Sequence, residues 1–186
     1  MNLSSLLELD ARLSNQMRVA EKPGTLRNIA IFLAHSGDSW FWGVALILLW
    51  IFSDATWKQW AVVLFVGISL LAVLVMIIKL FVRRKRPEGE WGGIYRNTDP
   101  HSFPSGHAAR AFLIAVIGSA LGPPWLGVVL WIWAPLVALA RVAMGVHYLS
   151  DVIAGSLLGI AVAGIGLQFY QWFFAWLATL TGFQLW

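Results

Sequence analysis

Five apolar runs alternate with polar breaks along the chain: Ser39–Phe52, Ala61–Val82, Ala111–Leu121, Trp125–Ala140 and Val152–Trp172. Each predicts a helix that crosses a bilayer or forms the core of a crossing. At about 1.5 Å per residue, the second and fifth runs alone can cross about 30 Å of hydrocarbon. The first is short and needs residues from its flanks, and the third can start as early as Ser105. Pro123-Pro124 makes a tight link between the third and fourth, whereas Arg83 to Phe103 is a long polar connection. Ahead of these runs, Leu3, Leu6, Leu7, Asp10, Leu13 and Met17 recur at roughly helical spacing, which predicts an amphipathic helix lying in the membrane interface. Pro23-Gly24 breaks it, and Thr25 to Ala34 reads as a second short helix, ended or kinked at Ser36-Gly37. Residues Met1 to Lys22 carry charges and no apolar run, unlike a signal peptide. The expected architecture is all-α. It is a polytopic membrane helical bundle of about five transmembrane helices, with six the alternative, in residues 37–186, preceded by an amphipathic interfacial region in residues 1–36.

Composition supports a membrane protein. Apolar residues make up 59% of the 186, charged residues only 12%, and the mean hydropathy is +0.74. A soluble chain of this size could not bury so much hydrocarbon in one core. Disorder and a nucleic-acid module are excluded on that ground, and the net charge of +4 is better assigned to lipid headgroups. With no cysteine there is no disulfide and no thiolate metal site. The tryptophans fit alternating crossings: Trp57, Trp60, Trp125, Trp172 and Trp176 fall at ends on one membrane face, and Trp40, Trp42 and Trp91 near the other. Trp50, Trp131 and Trp133 are equally consistent with packing between helices.

The ionisable residues at helix borders all gather on the second of these faces. Lys79 and Arg86 close the second crossing, His107 and Arg110 open the third, Arg141 ends the fourth, and His147 with Asp151 opens the fifth. Charges at such positions are costly and point to function. Lys79 and Arg86 are seven apart, two helical turns on one face, and Pro87 frees the Arg86 guanidinium at the helix end. His147 and Asp151 are four apart, again one helix face, so the carboxylate can hold one ring nitrogen and leave the other lone pair exposed. Pro104-Ser105-Gly106-His107 begins a helix whose free N–H groups make an anion site. Together these groups describe a cradle for a doubly charged tetrahedral anion. His147, oriented by Asp151, suits a nucleophile, and His107 suits the donor of a proton to a leaving alkoxide. No Asp/Glu/His cluster has metal-ligand spacing, and this chemistry requires neither a metal nor another cofactor.

Lys79-x6-Arg86-Pro87, Pro104-Ser105-Gly106-His107 and Arg141-x5-His147-x3-Asp151 resemble the three signature motifs of the type 2 phosphatidic acid phosphatases (PAP2). Three spaced motifs in the right order, covering about seventy residues, are far more specific than any one of them. The resemblance implies metal-independent hydrolysis of a phosphomonoester or pyrophosphate through a phosphohistidine at His147. It also implies His107 as general acid, and phosphate binding by Lys79, Arg86, Ser105, Gly106 and Arg141. The third motif usually starts with Ser-Arg and here reads Ala140-Arg141, one hydroxyl fewer near the phosphate. Many bacterial members have six crossings, and this chain lacks the first of them. Its Met1–Ala34 region then lies beside the site, either lining the lipid's access route or serving as a surface anchor.

Arg110 and His101 are candidate substrate contacts, His35 a capping or interface residue, and Arg83-Arg84-Lys85 an anionic-headgroup anchor. Outside the cradle, Arg12, Arg18, Lys22, Arg27, Arg83, Arg84, Lys85 and Arg96 lie on the site's face and only Lys58 on the other. The positive-inside rule therefore favours a cytoplasmic site in the cell membrane. The expected partner is a phosphorylated lipid: phosphatidic acid, phosphatidylglycerol phosphate or a polyprenyl phosphate or pyrophosphate. A silent or transport-type headgroup binder and a phosphatase of soluble esters are the alternatives. Neither the oligomeric state nor the particular lipid is encoded legibly.

Overall fold

A computed structural model describes residues 2–19, 21–89, 91 and 99–182, which form seven helices and no strand. They are α1 (Leu3–Gln16), α2 (Thr25–Ser36), α3 (Ser39–Phe52), α4 (Ala55–Val82), α5 (Gly106–Leu121), α6 (Pro124–Ala143) and α7 (Leu149–Thr181). The helices start where local chemistry favours it. Asn2 accepts the Ser5 N–H at 2.9 Å to cap α1, and Asp54 accepts the N–H groups of Thr56 and Trp57 to cap α4. Pro124 takes the first position of α6, where its missing N–H costs nothing. The apolar runs read from the sequence lie within these helices, which extend most of them outward.

Three helices are long and apolar enough to cross a membrane: α4, α6 and α7. Helices α2 and α3 make a fourth candidate span if taken together, although they bend by 54° at the Gly37-Asp38 break. Helix α5 is apolar but only 16 residues, about 24 Å long. Among the described residues the count is thus three or four spans by length, against the five or six read from the sequence.

Helix α5 is the centre of the bundle and packs most extensively against α7 and α6. The α5–α7 approach is close because Gly155 and Gly159, one turn apart, present no side chain. A Cβ at Gly155 would run into the Ser105 carbonyl, and one at Gly159 into the Ala109 carbonyl. Small residues let membrane helices approach backbone to backbone in this way. On the α6 side, Leu130 fills the space over Gly118, and Gly127 accommodates Ser119. Leu64, Leu113, Ile114, Ala134 and Val137 complete the core. Trp60 belongs to this core rather than to an interfacial belt, at 6% exposure. Trp125 and Trp172 stay exposed as expected. The outer surface carries large apolar side chains such as Phe52, Leu70 and Phe81, which suits lipid rather than water.

Helix α2 packs on α6, and its end is tied there by Trp133, whose indole donates to Ser36 Oγ at 2.9 Å. Helix α1 lies against the start of α7. Both therefore reach the same end of the bundle, where α4 and α6 stop and α5 and α7 begin.

Candidate active site

Helix α4 stops at Val82 because Arg83 takes a left-handed conformation (φ 50°) that turns the chain. Lys79 sits in the last helical turn, whereas Arg86 lies beyond the helix. This corrects the expectation that the two share a helix face: they converge through Asp99 instead. Lys79 Nζ donates to Asp99 Oδ2 and, at 3.0 Å, to the His101 carbonyl. Arg86 NH2 donates to the same Oδ2 at 2.8 Å, its Nε to the Asp99 carbonyl at 2.7 Å, and its NH1 to the Val146 carbonyl at 2.8 Å.

Ser105 caps α5, with its hydroxyl 3.5 Å from the Ala108 N–H. Its own N–H donates to the Asp151 carbonyl at 3.0 Å, which locks the start of α5 to the first turn of α7. The N–H groups of Gly106 and His107 come before the first bonded ones, those of Ala108 and Ala109 to Ser105, and have no partner within the helix. His107 Nε2 lies 2.7 Å from Asp38 Oδ1, and Asp38 Oδ2 lies 3.1 Å from His35 Nδ1. Arg110 donates through Nε to the Gly37 carbonyl at 3.0 Å and through NH1 to Ser39 Oγ. The break between α2 and α3 is thus held onto α5 by two of the candidate site residues.

His147 and Asp151 do not share a helix face either, because α7 begins at Leu149 and His147 precedes it. Asp151 still reaches back: its Oδ2 accepts the Tyr148 N–H at 2.9 Å and lies 3.5 Å from His147 Nδ1. Its Oδ1 accepts Arg84 NH1 at 2.7 Å. His147 Nε2 faces Arg86 NH1 at 3.2 Å. The ring is 1% exposed. Burial above all, then the positive charges of Arg86, Arg141 and Lys79, push the His147 imidazole well below the ordinary histidine value, so it is neutral. Arg141, in the last turn of α6, is buried.

These side chains line one cleft of about 200 Å³. Lys79, Arg86, Asp99, Gly106, His107, Arg110, Arg141 and His147, with Ser39, form its polar part, and Ile68, Leu71, Val75 and Met76 of α4 form an apolar wall. Asp151 stands behind His147, and Ser105 behind Gly106. His101 contributes its carbonyl to Lys79 and is not part of the lining. Arg110 lines the cleft while its guanidinium also secures the α2–α3 break.

Four groups escaped the sequence reading. Asp38, Asp99, Arg84 and Asp10 each contact a candidate site residue or its partner. Arg84 is not a free headgroup anchor: it bridges Asp151 and Asp10, with its NH2 at 2.7 Å from Asp10 Oδ2. Asp10 did carry a signal, since it interrupts the apolar face of α1. Asp38, next to a helix break and far from the motifs in sequence, carried little.

Cationic groups converging beside a buried, neutral imidazole, inside a bundle with an apolar exterior, define a membrane phosphatase. The chain belongs to the PAP2 superfamily, which matches residues 60–175. The probable lipid phosphate phosphatase beta of Arabidopsis thaliana is 30% identical, over 91% of this chain and 92% of its own. The decaprenylphosphoryl-5-phosphoribose phosphatase of Mycobacterium tuberculosis is 33% identical, over 85% of this chain and 88% of its own. Among solved structures, Aquifex aeolicus LpxE is 32% identical with a TM-score of 0.66, covering 87% of this chain and 94% of that one. The PAP2 type phosphatidylglycerolphosphate phosphatase of Bacillus subtilis, at 22% identity, shares the fold with a TM-score of 0.73 over 90% of this chain and 87% of its own.

Proposed function

We propose that the protein removes a phosphate from the phosphomonoester or pyrophosphate headgroup of a membrane lipid, through a phosphohistidine at His147. The observation that carries this reading is the placement of His147: its Nε2 faces Arg86 in the cleft at 3.2 Å while its Nδ1 faces Asp151. The negative charge of Asp151, 3.5 Å from Nδ1, favours the tautomer protonated there, and the lone pair on Nε2 attacks phosphorus. Lys79, Arg86, Arg141 and the free N–H groups at the start of α5 hold the phosphoryl oxygens, where charge builds in the transition state. His107 gives a proton to the departing oxygen, and Asp38, 2.7 Å from its Nε2, orients the ring. In the second half-reaction His107 takes a proton from water as that water attacks the phosphohistidine, so the cycle is proton-neutral at His107. The positive charge at phosphorus comes from ammonium and guanidinium groups, so no step calls for a metal or other cofactor.

The lipid class is supported by the apolar α4 wall and by relatives named for lipid phosphate and decaprenyl-linked substrates. Phosphatidic acid, phosphatidylglycerol phosphate and polyprenyl phosphates or pyrophosphates all fit it. In this reading α3 to α7 make five crossings, residues 37–186 form the phosphatase domain, and residues 1–36 lie in the interface beside the site. The basic residues crowded on that face favour its placement in the cytoplasm.

A panel of these lipids, assayed for phosphate release with purified protein, tests the proposal. Release from at least one of them, abolished by His147→Ala, is expected. Turnover of glucose 6-phosphate in preference to every lipid, or unchanged turnover in His147→Ala, contradicts it.

A further inference from the structure

Helix α1 read from the sequence as an interfacial element, yet one of its side chains reaches the back of the site. At 100° per residue, Asp10 falls inside the apolar arc of the helix, with Leu6 and Leu13 on one side and Leu7 on the other. A carboxylate in that position is costly without partners. Asp10 has three: Oδ1 accepts the Ser150 N–H at 3.0 Å, and Oδ2 accepts Ser150 Oγ at 2.5 Å and Arg84 NH2 at 2.7 Å. One turn on, Ser14 Oγ accepts the Leu149 N–H at 2.8 Å. Two side chains of α1 therefore take up the first free N–H groups of α7, the helix that carries Asp151.

Arg84 connects this dock to the chemistry. Its guanidinium spans Asp10 and Asp151, donates to Ser150 Oγ at 2.7 Å, and stacks 4.0 Å over the ring of Tyr148, whose N–H holds the other Asp151 oxygen. We infer that Asp10, acting through Arg84, is a positioning residue for Asp151 and hence for His147, which makes α1 part of the active site. The inference rests on the His147 assignment made above. Two physical effects combine. Asp10 fixes the guanidinium against which Asp151 is aligned. It also offsets the guanidinium's charge: facing Arg84 alone, Asp151 would be a neutralised partner and would present little negative potential to the His147 N–H. Leu6, Leu7 and Leu13 stay exposed beside the dock, so the bilayer that covers them presses the same helix onto α7.

The test is a double-mutant cycle between Asp10→Asn and Asp151→Asn in the full-length protein, read as kcat and KM on a lipid phosphate. Asp10→Asn is expected to lower kcat at least tenfold with KM changed less than twofold, and Asp10→Glu to recover part of the loss. In the Asp151→Asn background the Asp10→Asn change costs nothing further. Arg84→Met enters the same cycle from the other side and serves where Asp10→Asn does not fold. Wild-type kcat in Asp10→Asn, or losses that simply multiply in the double variant, overturn the inference. A wild-type rate in Asp151→Asn instead overturns the His147–Asp151 assignment beneath it.

Discussion

Replacing Gly155 by alanine puts a methyl group against the backbone carbonyl of Ser105, inside the distance real Cβ atoms keep. The opposing atom is main chain, so no rotamer change relieves the clash, and α5 and α7 must part. The damage falls at the site: Ser105 caps α5, its N–H is bonded to the Asp151 carbonyl, and Asp151 lies one turn before Gly155. Overpacking of this kind costs about 1–3 kcal/mol of stability. A displacement of about 1 Å between reacting groups costs on the order of a hundredfold in rate. Gly155→Ala is therefore expected to remain mostly folded while losing about a hundredfold in kcat, measured as phosphate release from a lipid phosphate in detergent micelles, with thermal unfolding followed in parallel. Gly159→Ala clashes with Ala109 one turn deeper and supplies the comparison: a similar loss of stability with a much smaller loss of kcat. Gly164→Ala, with open space around its Cβ position, is expected to be neutral in both. A Gly155→Ala protein with native kcat would refute the argument that the glycine seam sets the register between the start of α5 and His147.

Further expectations follow from the cleft. The His147 value is held well below 6.5 by burial and by Arg86, Arg141 and Lys79, so the imidazole stays neutral and nucleophilic down to acidic pH; the acid limb it imposes on kcat/KM should lie below pH 6.5, and a limb above 6.5 that His147 is shown to cause would contradict it. The same shift makes the unfolded chain bind the proton more readily, so this histidine's contribution to stability falls as pH drops through 6.5, visible as a declining unfolding temperature. His107→Ala should lose far more rate on alkyl phosphate esters than on an aryl phosphate with a good leaving group, and equal losses on both would remove it as general acid. Asp99 engages Lys79 and Arg86 where phosphate must bind, so Asp99→Asn should lower KM several-fold in a substrate titration; a raised KM would mean that Asp99 orders these cations instead of competing for them. Arg141→Lys should raise KM and lower kcat together, since an ammonium cannot replace a planar fork.

The helices and the shared face of the polar residues were legible because a period of 3.6 and a bilayer's thickness constrain sequence strongly. Ser39–Phe52 was bounded correctly, and a helix beginning within Pro104-Ser105-Gly106-His107 was readable from residue type alone. Helix ends were less legible. Lys79 with Arg86, and His147 with Asp151, looked like same-face pairs by spacing, yet a left-handed Arg83 ends α4 and Tyr148 caps α7, so each pair straddles a terminus. The groups behind the site were hidden for another reason. Asp38, Asp10 and Arg84 reach His107 or Asp151 only through tertiary packing, across long separations in sequence. A lone carboxylate at a helix break has no period to reveal it.

In the proposed reaction the phosphoryl group passes through His147. Rapid acid-free quenching of the enzyme during turnover of a lipid carrying a radiolabelled terminal phosphate, followed by peptide mapping, tests it most directly. An acid-labile, base-stable label is expected on the peptide containing His147, lost in His147→Ala and longer-lived in His107→Ala when the labelled phosphate is esterified to a good leaving group. Label on any other residue, or full turnover by His147→Ala, would contradict it.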